Sequence, residues 1–323
     1  NNIIMKNIYS NIFSFNKKIL NESVVNLKKG NVVGLPTETV YGLAGNAYSD
    51  QAIKKIYKLK GRPKKNPLII HFDSFRDAEN HVHLNKNFFK LYKEFCPGPI
   101  TFIVKRKKNS KISNLATSNL KTIAIRFPNN LKIKKILKKI KFPLAMPSAN
   151  KSKSISPVTA NDVYDEFHDK IKLIIDGGNC KIGIESTVVD ITKGIKILRP
   201  GIISENEISK ILKKKVYFKK IHKKISSPGL LKLHYSPGIP VKLNKNNAGK
   251  NVAFITLGKK YNENFNTFNL SKKSNLKEAA KNLYKMFRII KNKRFKKIHV
   301  VKIPNKGIGV AINDRLKHAA NKR

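Results

Sequence analysis

The chain has 323 residues, 40% of them hydrophobic, which is enough for two domains with a core each, and it holds no apolar run of the ~20 residues that cross a bilayer. Its two cysteines, Cys96 and Cys180, are too far apart in sequence to suggest a disulfide framework or a metal-ligand spacing, and they fit a reducing cytosol. The net charge of +49 invites a nucleic-acid reading, but Lys, Asn and Ile are abundant together, as base-composition bias produces, and the basic residues are spread along the chain.

The stretch before Glu22 is free of acids but lacks arginine and a cleavage pattern, so it reads as mature sequence and not as a transit or signal peptide. Apolar spacing at Ile19, Leu20, Val24 and Leu27 predicts a helix over 16–29, stopped by Gly30. A buried strand follows over 31–35. Ser49 is placed to cap a helix running to Leu59, with Ile53, Ile56 and Tyr57 on its apolar face. Further strands are predicted at 68–72, 100–104, 122–126, 144–146, 173–175, 187–191 and 195–198, and helices at 131–140, 159–167 and 205–213. From Lys214 to Pro240 the period is lost and the composition turns to Lys, Ser, Pro and Gly, as in a linker. Beyond it, strands at 252–257 and 297–302 and helices at 276–291 and 308–320 suggest a small β/α domain. The expected divisions are therefore 1–213, a linker or lid at 214–240, and 241–323. His81 and His83 form the one close histidine pair, read as solvent-facing and not as a metal site.

Two polar clusters carry chemistry. Lys60-Gly61-Arg62-Pro63-Lys64-Lys65-Asn66-Pro67 and Pro147-Ser148-Ala149-Asn150 combine cations, hydroxyl and amide donors with residues that fix the backbone. Such groups suit a polyphosphate, since guanidinium offers a planar fork of donors to phosphate or carboxylate oxygens. No stretch matches a P-loop, so a nucleotide would be held by another scheme. No Asp or Glu occurs between Phe95 and Asn161, which predicts a positive surface around part of the site.

These clusters lie within a longer ordered series. It runs Gly34-Leu-Pro-Thr37-Glu38-Thr39-Val-Tyr41-Gly42, Lys60-Gly-Arg62-Pro, Asn66-Pro-Leu-Ile-Ile-His71, Pro97-Gly98-Pro99-Ile-Thr101 and Thr122-Ile-Ala-Ile-Arg126. It continues through Ser148, Asn150, Ser156, Asp176-Gly177-Gly178, Glu185-Ser186-Thr187, Arg199-Pro200-Gly201, Ser227-Pro228-Gly229 and His234-Tyr235-Ser236-Pro237. The series resembles the YrdC-like threonylcarbamoyl-AMP synthase family in its longer form, and Asn313-Asp314-Arg315 resembles the end of that form's second domain. The resemblance covers nearly the whole chain. It departs in the linker, where Leu230-Leu231-Lys232-Leu233 stands in place of a Met and often an Arg, which puts a basic phosphate contact from there in doubt.

The resemblance implies an α/β protein with a twisted mixed sheet flanked by helices, plus a small C-terminal Rossmann-like β/α domain. It implies that L-threonine, bicarbonate and ATP give threonylcarbamoyl-AMP and pyrophosphate, with Mg²⁺ carried by the phosphates. The product would pass to a tRNA threonylcarbamoyl transferase complex in the cytoplasm, with at most a weak tRNA contact and no membrane. By motif match, Lys60, Arg62, Ser148 and Asn150 are the expected catalytic grip on the triphosphate. Asn66, Thr122, Ser156, Arg199 and Tyr235 fall on the nucleotide side, and Thr39, His71, Arg126 and Ser186 on the threonine side. Lys60 and Arg62 are expected to be exposed in a cleft. His71 also reads as a core histidine, Ser186 as a turn residue, and Thr122 and Ser156 as local backbone caps. Glu38 and Tyr41 read as packing, and no protein metal ligand is expected. The competing class is a non-enzymatic RNA-binding protein using a basic concave face. A carbamoyl-transfer enzyme for metallocentre maturation would need cysteine-rich zinc modules, which two cysteines cannot supply.

Overall fold

The structure, a computed structural model, describes residues 10–218 and 235–320. An edge strand β1 (Ile12–Ser14) precedes α1 (Lys17–Lys28), which begins where the Asn16 side chain accepts from the Ile19 amide and stops before Gly30 at φ +72°. β2 (Val33–Leu35) and β3 (Gly42–Asn46) pair antiparallel around the loop 36–41. α2 (Asp50–Lys60) is capped by the Ser49 hydroxyl and closed by Gly61 in the left-handed region. Then come β4 (Ile69–His71), α3 (Phe75–Glu79), β5 (Val82–His83), α4 (Lys86–Phe95), β6 (Ile100–Arg106) and β7 (Thr122–Arg126). α5 (Leu131–Ile140), β8 (Leu144–Ala145), α6 (Ala160–Phe167), β9 (Ile174–Asp176), β10 (Thr187–Asp190), β11 (Lys196–Arg199) and α7 (Glu205–Leu212) follow.

Among the described residues these strands form an 11-stranded mixed sheet, ordered β1-β9-β2-β3-β8-β4-β7-β6-β10-β11, with β5 beside β6. Strand alternation then decides which side chains meet. Ile70, Phe72, Phe102, Val104, Ile123 and Ile125 join the large core. The opposite parity, Ile69, His71, Thr101, Ile103, Ala124 and Arg126, faces the other way. Part of that second face is covered by α1 and α5, which pack on Val33, Leu35, Ala44 and Leu144. The rest is left for a site.

The C-terminal body contains β12 (Val241–Lys242), β13 (Ala253–Thr256), β14 (Thr267–Asn269), α8 (Leu276–Asn292), β15 (Ile298–Val300) and α9 (Ile308–Ala320). Its four described strands lie in the order β12-β15-β13-β14 and all pair parallel, so it is a Rossmann-like β/α layer. The two bodies share one continuous apolar cluster. Arg288 on α8 adds a polar link: it donates to the Ile155 carbonyl at 3.0 Å and lies 3.3 Å from Asp162 on α6.

One expectation fails outright. His81 is buried and lies 2.8 Å from the Tyr48 hydroxyl, so only His83 of the pair meets solvent. Of the expected lid, Ser227, Pro228, Gly229 and His234 lie outside the described residues.

Gly201, in the turn after β11, is in very close contact with its neighbours: a Cβ there would lie 2.4 Å from the Thr187 amide nitrogen and 2.6 Å from its hydroxyl. Because one of these neighbours is backbone, Gly201→Ala is expected to destabilise the protein by about 1–3 kcal/mol. A urea midpoint equal to wild type would contradict this packing.

Candidate active site

One row of paired residues crosses the sheet. His71 on β4 is opposite Arg126 on β7, Arg126 opposite Thr101 on β6, Thr101 opposite Val188 on β10, and Val188 opposite Arg199 on β11. At ~4.8 Å per strand the row spans roughly 19 Å. Ile69, Ile103 and Ala124 sit two residues away on the same face and cluster with Val188 and Leu198, giving it an apolar floor.

Loops close around this row. The loop 36–41 brings in Thr37, Val40 and Tyr41, and the segment after β8 brings in Met146, Pro147 and Ser148. Backbone bonds lock these pieces together: the Leu43 amide donates to the Pro147 carbonyl and the Ala149 amide to the Tyr41 carbonyl. The Tyr41 hydroxyl accepts from the Gly177 amide at 2.8 Å and donates to the Gly178 carbonyl at 2.9 Å. Arg62, His71, Arg126, Ser148, Glu185 and Arg199 complete the cavity wall. Its volume is about 40 Å³, little more than one water's share of the liquid.

Arg126 is held by a buried ion pair. Its Nη2 donates to Glu38 Oε1 at 2.7 Å and to the Thr39 hydroxyl at 2.9 Å, while its Nε has no hydrogen-bond partner among the described residues. Glu38, read from sequence as packing, is therefore what aims Arg126. His71 Nε2 likewise has no partner, and burial, then the charge of Arg126, hold its imidazole well below its ordinary value. It is a neutral donor or acceptor at neutral pH. Arg199 donates from Nε to the Ser186 carbonyl and from Nη2 to the Ser186 hydroxyl, both at 3.1 Å.

The Lys60 and Arg62 expectation needs correction, because both are buried. The Lys60 ammonium donates to the carbonyls of Ser148 and Asn150, so it ties that loop to the end of α2 and does not line the cavity. Burial, and then the charge of Arg62, lower its pKa well below the usual lysine range. Arg62 does line the cavity, folded back onto Asn66 Oδ1 at 2.7 Å and the Pro67 carbonyl at 2.8 Å. Burial lowers its pKa to about 10, so it stays cationic at neutral pH.

The remaining predicted residues stand behind the wall. Asn66 braces Arg62, Thr39 braces Arg126, and Ser186 braces Arg199. Asn150 shapes its own loop through Lys151 and Ser154, and Ser156 donates to Glu185 at 2.5 Å. Thr122 is on the same face as Arg126 but four residues along β7, roughly 13 Å away. Tyr235, expected on the nucleotide, is fully buried: its ring stacks on Tyr284 at 5.9 Å and lies under Arg315 at 5.1 Å. That is packing onto the second domain.

Residues 25–201 match the family described as "Telomere recombination", and residues 203–321 match "Threonylcarbamoyl-AMP synthase, C-terminal domain". The threonylcarbamoyl-AMP synthase of Pyrococcus abyssi is 34% identical over 321 residues, covering 92% of each chain. That of Bacillus subtilis is 33% identical over 318 residues, covering 92% of this chain and 91% of its own. The chain belongs to the threonylcarbamoyl-AMP synthase family. The crystal structure of P. abyssi Sua5 complexed with L-threonine superposes with a TM-score of 0.88 at 31% identity, covering 96% of this chain and 97% of that one. The synthase fold therefore extends through both bodies.

Sequence reasoning missed Glu185, Tyr284 and Arg315 as parts of one polar junction. Glu185 had a signal, an acid at the mouth of an apolar strand, but its partners are 99 and 130 residues distant.

A pH dependence follows from the neutral His71. Below about pH 6.5 the unfolded chain takes up a proton that the folded imidazole refuses, so stability is full above that value and falls with pH. His81, also lowered by burial, shares this window. His71→Gln should flatten the fall in urea stability between pH 7 and 5, removing up to ~1.4 kcal/mol per pH unit. Equal slopes for variant and wild type would mean that His71 is protonated in the fold.

Proposed function

We propose that the chain joins L-threonine, bicarbonate and ATP into threonylcarbamoyl-AMP and pyrophosphate. The observation that carries this reading is one cavity lined by Arg126 and His71, whose Nε and Nε2 have no hydrogen-bond partner among the described residues, together with Arg62 and Arg199. The first pair suits an amino acid, and the second a polyphosphate.

In this scheme Arg126, aimed by Glu38 and Thr39, takes the threonine carboxylate, and His71 completes that side. The threonine amine adds to the carbon of bicarbonate and water leaves, giving a carbamate whose oxygen attacks the α-phosphorus as pyrophosphate leaves. No protein nucleophile is needed. Catalysis is positioning plus stabilisation of phosphate charge by Arg62, Arg199 and Ser148. Arg62 exchanges neutral carbonyl acceptors for phosphate oxygens, which are stronger partners, and the cavity must widen to admit the nucleotide. The nucleotide extends along the β6–β7 face toward Thr122. Lys60 and Asn150 act by shaping the Ser148 loop.

Mg²⁺ enters as part of the substrate. Among the described residues no three His, Cys, Asp or Glu side chains gather into a metal site, whereas the phosphates of ATP bring their own ion. The product would serve tRNA threonylcarbamoylation in the cytoplasm. No described helix is long and apolar enough to cross a membrane.

The test is release of pyrophosphate from ATP by the purified chain, with threonine and bicarbonate each omitted in turn. Release that needs neither substrate would sink the proposal. Valine should be a poor substitute, because a pocket built to bond the threonine hydroxyl leaves buried groups unpaired around a methyl. Serine, which loses only a methyl contact, should keep more activity.

Arg62→Ala and Lys60→Ala should now separate. The first removes a charge-assisted phosphate contact, so kcat/KM for ATP should fall roughly ten- to hundredfold, and because it also strips Asn66 and Pro67 of their donor the urea midpoint should fall too. The second leaves the Ser148 and Asn150 carbonyls without their donor and should lower the urea midpoint. Two variants with the same stability and the same kinetics would contradict these distinct roles.

A further inference from the structure

The junction between the two bodies is built around Glu185, which forms part of the cavity wall beside Arg62 and Arg199. Its carboxylate is densely bonded. Oε1 accepts from the Ser156 hydroxyl at 2.5 Å, and the Tyr284 hydroxyl lies 3.1 and 3.0 Å from Oε1 and Oε2. Arg315 Nε donates to Oε2 at 2.9 Å. Tyr284 comes from α8 and Arg315 from α9, so two of these three partners belong to the C-terminal body.

Arg315 is fully buried and grips more than one point. Its Nη1 donates to the Pro200 carbonyl at 2.7 Å and to Asp314 Oδ2 at 2.9 Å. Pro200 follows Arg199 directly. One guanidinium thus reaches both segments that present Glu185 and Arg199 to the cavity.

An uncompensated carboxylate at Glu185 would harm an ATP site in two ways. It would repel the phosphates, and it would draw Arg62 or Arg199 into an internal ion pair. We infer that Arg315 is a positioning residue for the nucleotide: it neutralises and pins Glu185, leaving Arg62 and Arg199 to the triphosphate. The inference rests on the ATP reading above. It makes the second domain a working part of the site and not an appended module.

The test uses the full chain and isothermal titration with MgATP and, separately, with L-threonine. Arg315→Met should weaken ATP binding about ten- to hundredfold, while threonine affinity changes less than about threefold. Adding Glu185→Gln removes the stranded charge but keeps an acceptor for Ser156 and Tyr284. The double variant should recover ATP affinity to within about threefold of wild type. A merely structural arginine would not be rescued in this way. A folded Arg315→Met protein with unchanged ATP affinity, or a double variant no better than the single, would overturn the inference. If Arg315→Met does not fold, the double variant, in which the described cavity wall carries no acid and Asp314 keeps His318 beside it, decides alone: near-wild-type ATP binding supports neutralisation, and a loss above about tenfold refutes it. A wild-type chain that takes up no ATP overturns the functional reading itself, and this inference with it.

Discussion

Burying cations is expensive, and this fold buries several beside one sheet face. Lys60, Arg62, Arg126 and Arg199 are all largely removed from water. Among the described residues Arg126 is the one of these with a carboxylate partner, Glu38; the others rest on carbonyl, amide or hydroxyl acceptors. Neutral acceptors satisfy donors without cancelling charge. The site therefore holds an unspent positive potential where an anion is to be bound, and the surrounding structure exists to keep that arrangement from collapsing. Among the described residues Glu185 is the one acid in the cavity wall, and it is held by Arg315.

Where local signals were strong, the fold could be read from sequence. Residues 122–126 and 131–140 are strand and helix with the bounds that periodicity predicts, and Ser49 and Gly30 do the capping work expected of them. The elements that escaped had weak signals. β3 is Gly-Leu-Ala-Gly-Asn, a run of small residues with poor strand propensity, and it is extended because β2 and β8 pair with it on either side. α4 carries aromatic residues at Phe88, Phe89, Tyr92 and Phe95, whose apolar face becomes evident only once Phe102 and Phe127 are packed against it. β12 is too short for any pattern to register.

The site was legible in residue type but not in depth. Sequence placed Lys60 and Arg62 together as one grip. Between them, however, Gly61 adopts φ +57°, and this left-handed step ends α2 and turns the chain. Lys60 is then left facing the 148–150 loop, and Arg62 reaches the cavity. No spacing rule distinguishes the two, because the separation arises from the third dimension. Ser186 and Thr39 show the same limit. Both read as polar ligand-side residues, yet each hydroxyl accepts from an arginine of the cavity wall.

Least legible of all was the contribution of the C-terminal body. The bond from Arg315 to Glu185 spans 130 residues, and nothing near either residue announces the other. Tyr235 marks how tightly this junction is tied. It lies at φ +59°, with its ring between Tyr284 and Arg315, and the next residue's amide donates to the Lys153 carbonyl at 2.8 Å. The point where the connection reaches the second body is thus also the point where that body reaches the cavity wall. A domain that merely hung from the first would place its linker at the surface, whereas here the linker end is buried beside Arg315 and Tyr284, on the residues that hold Glu185 in the cavity wall.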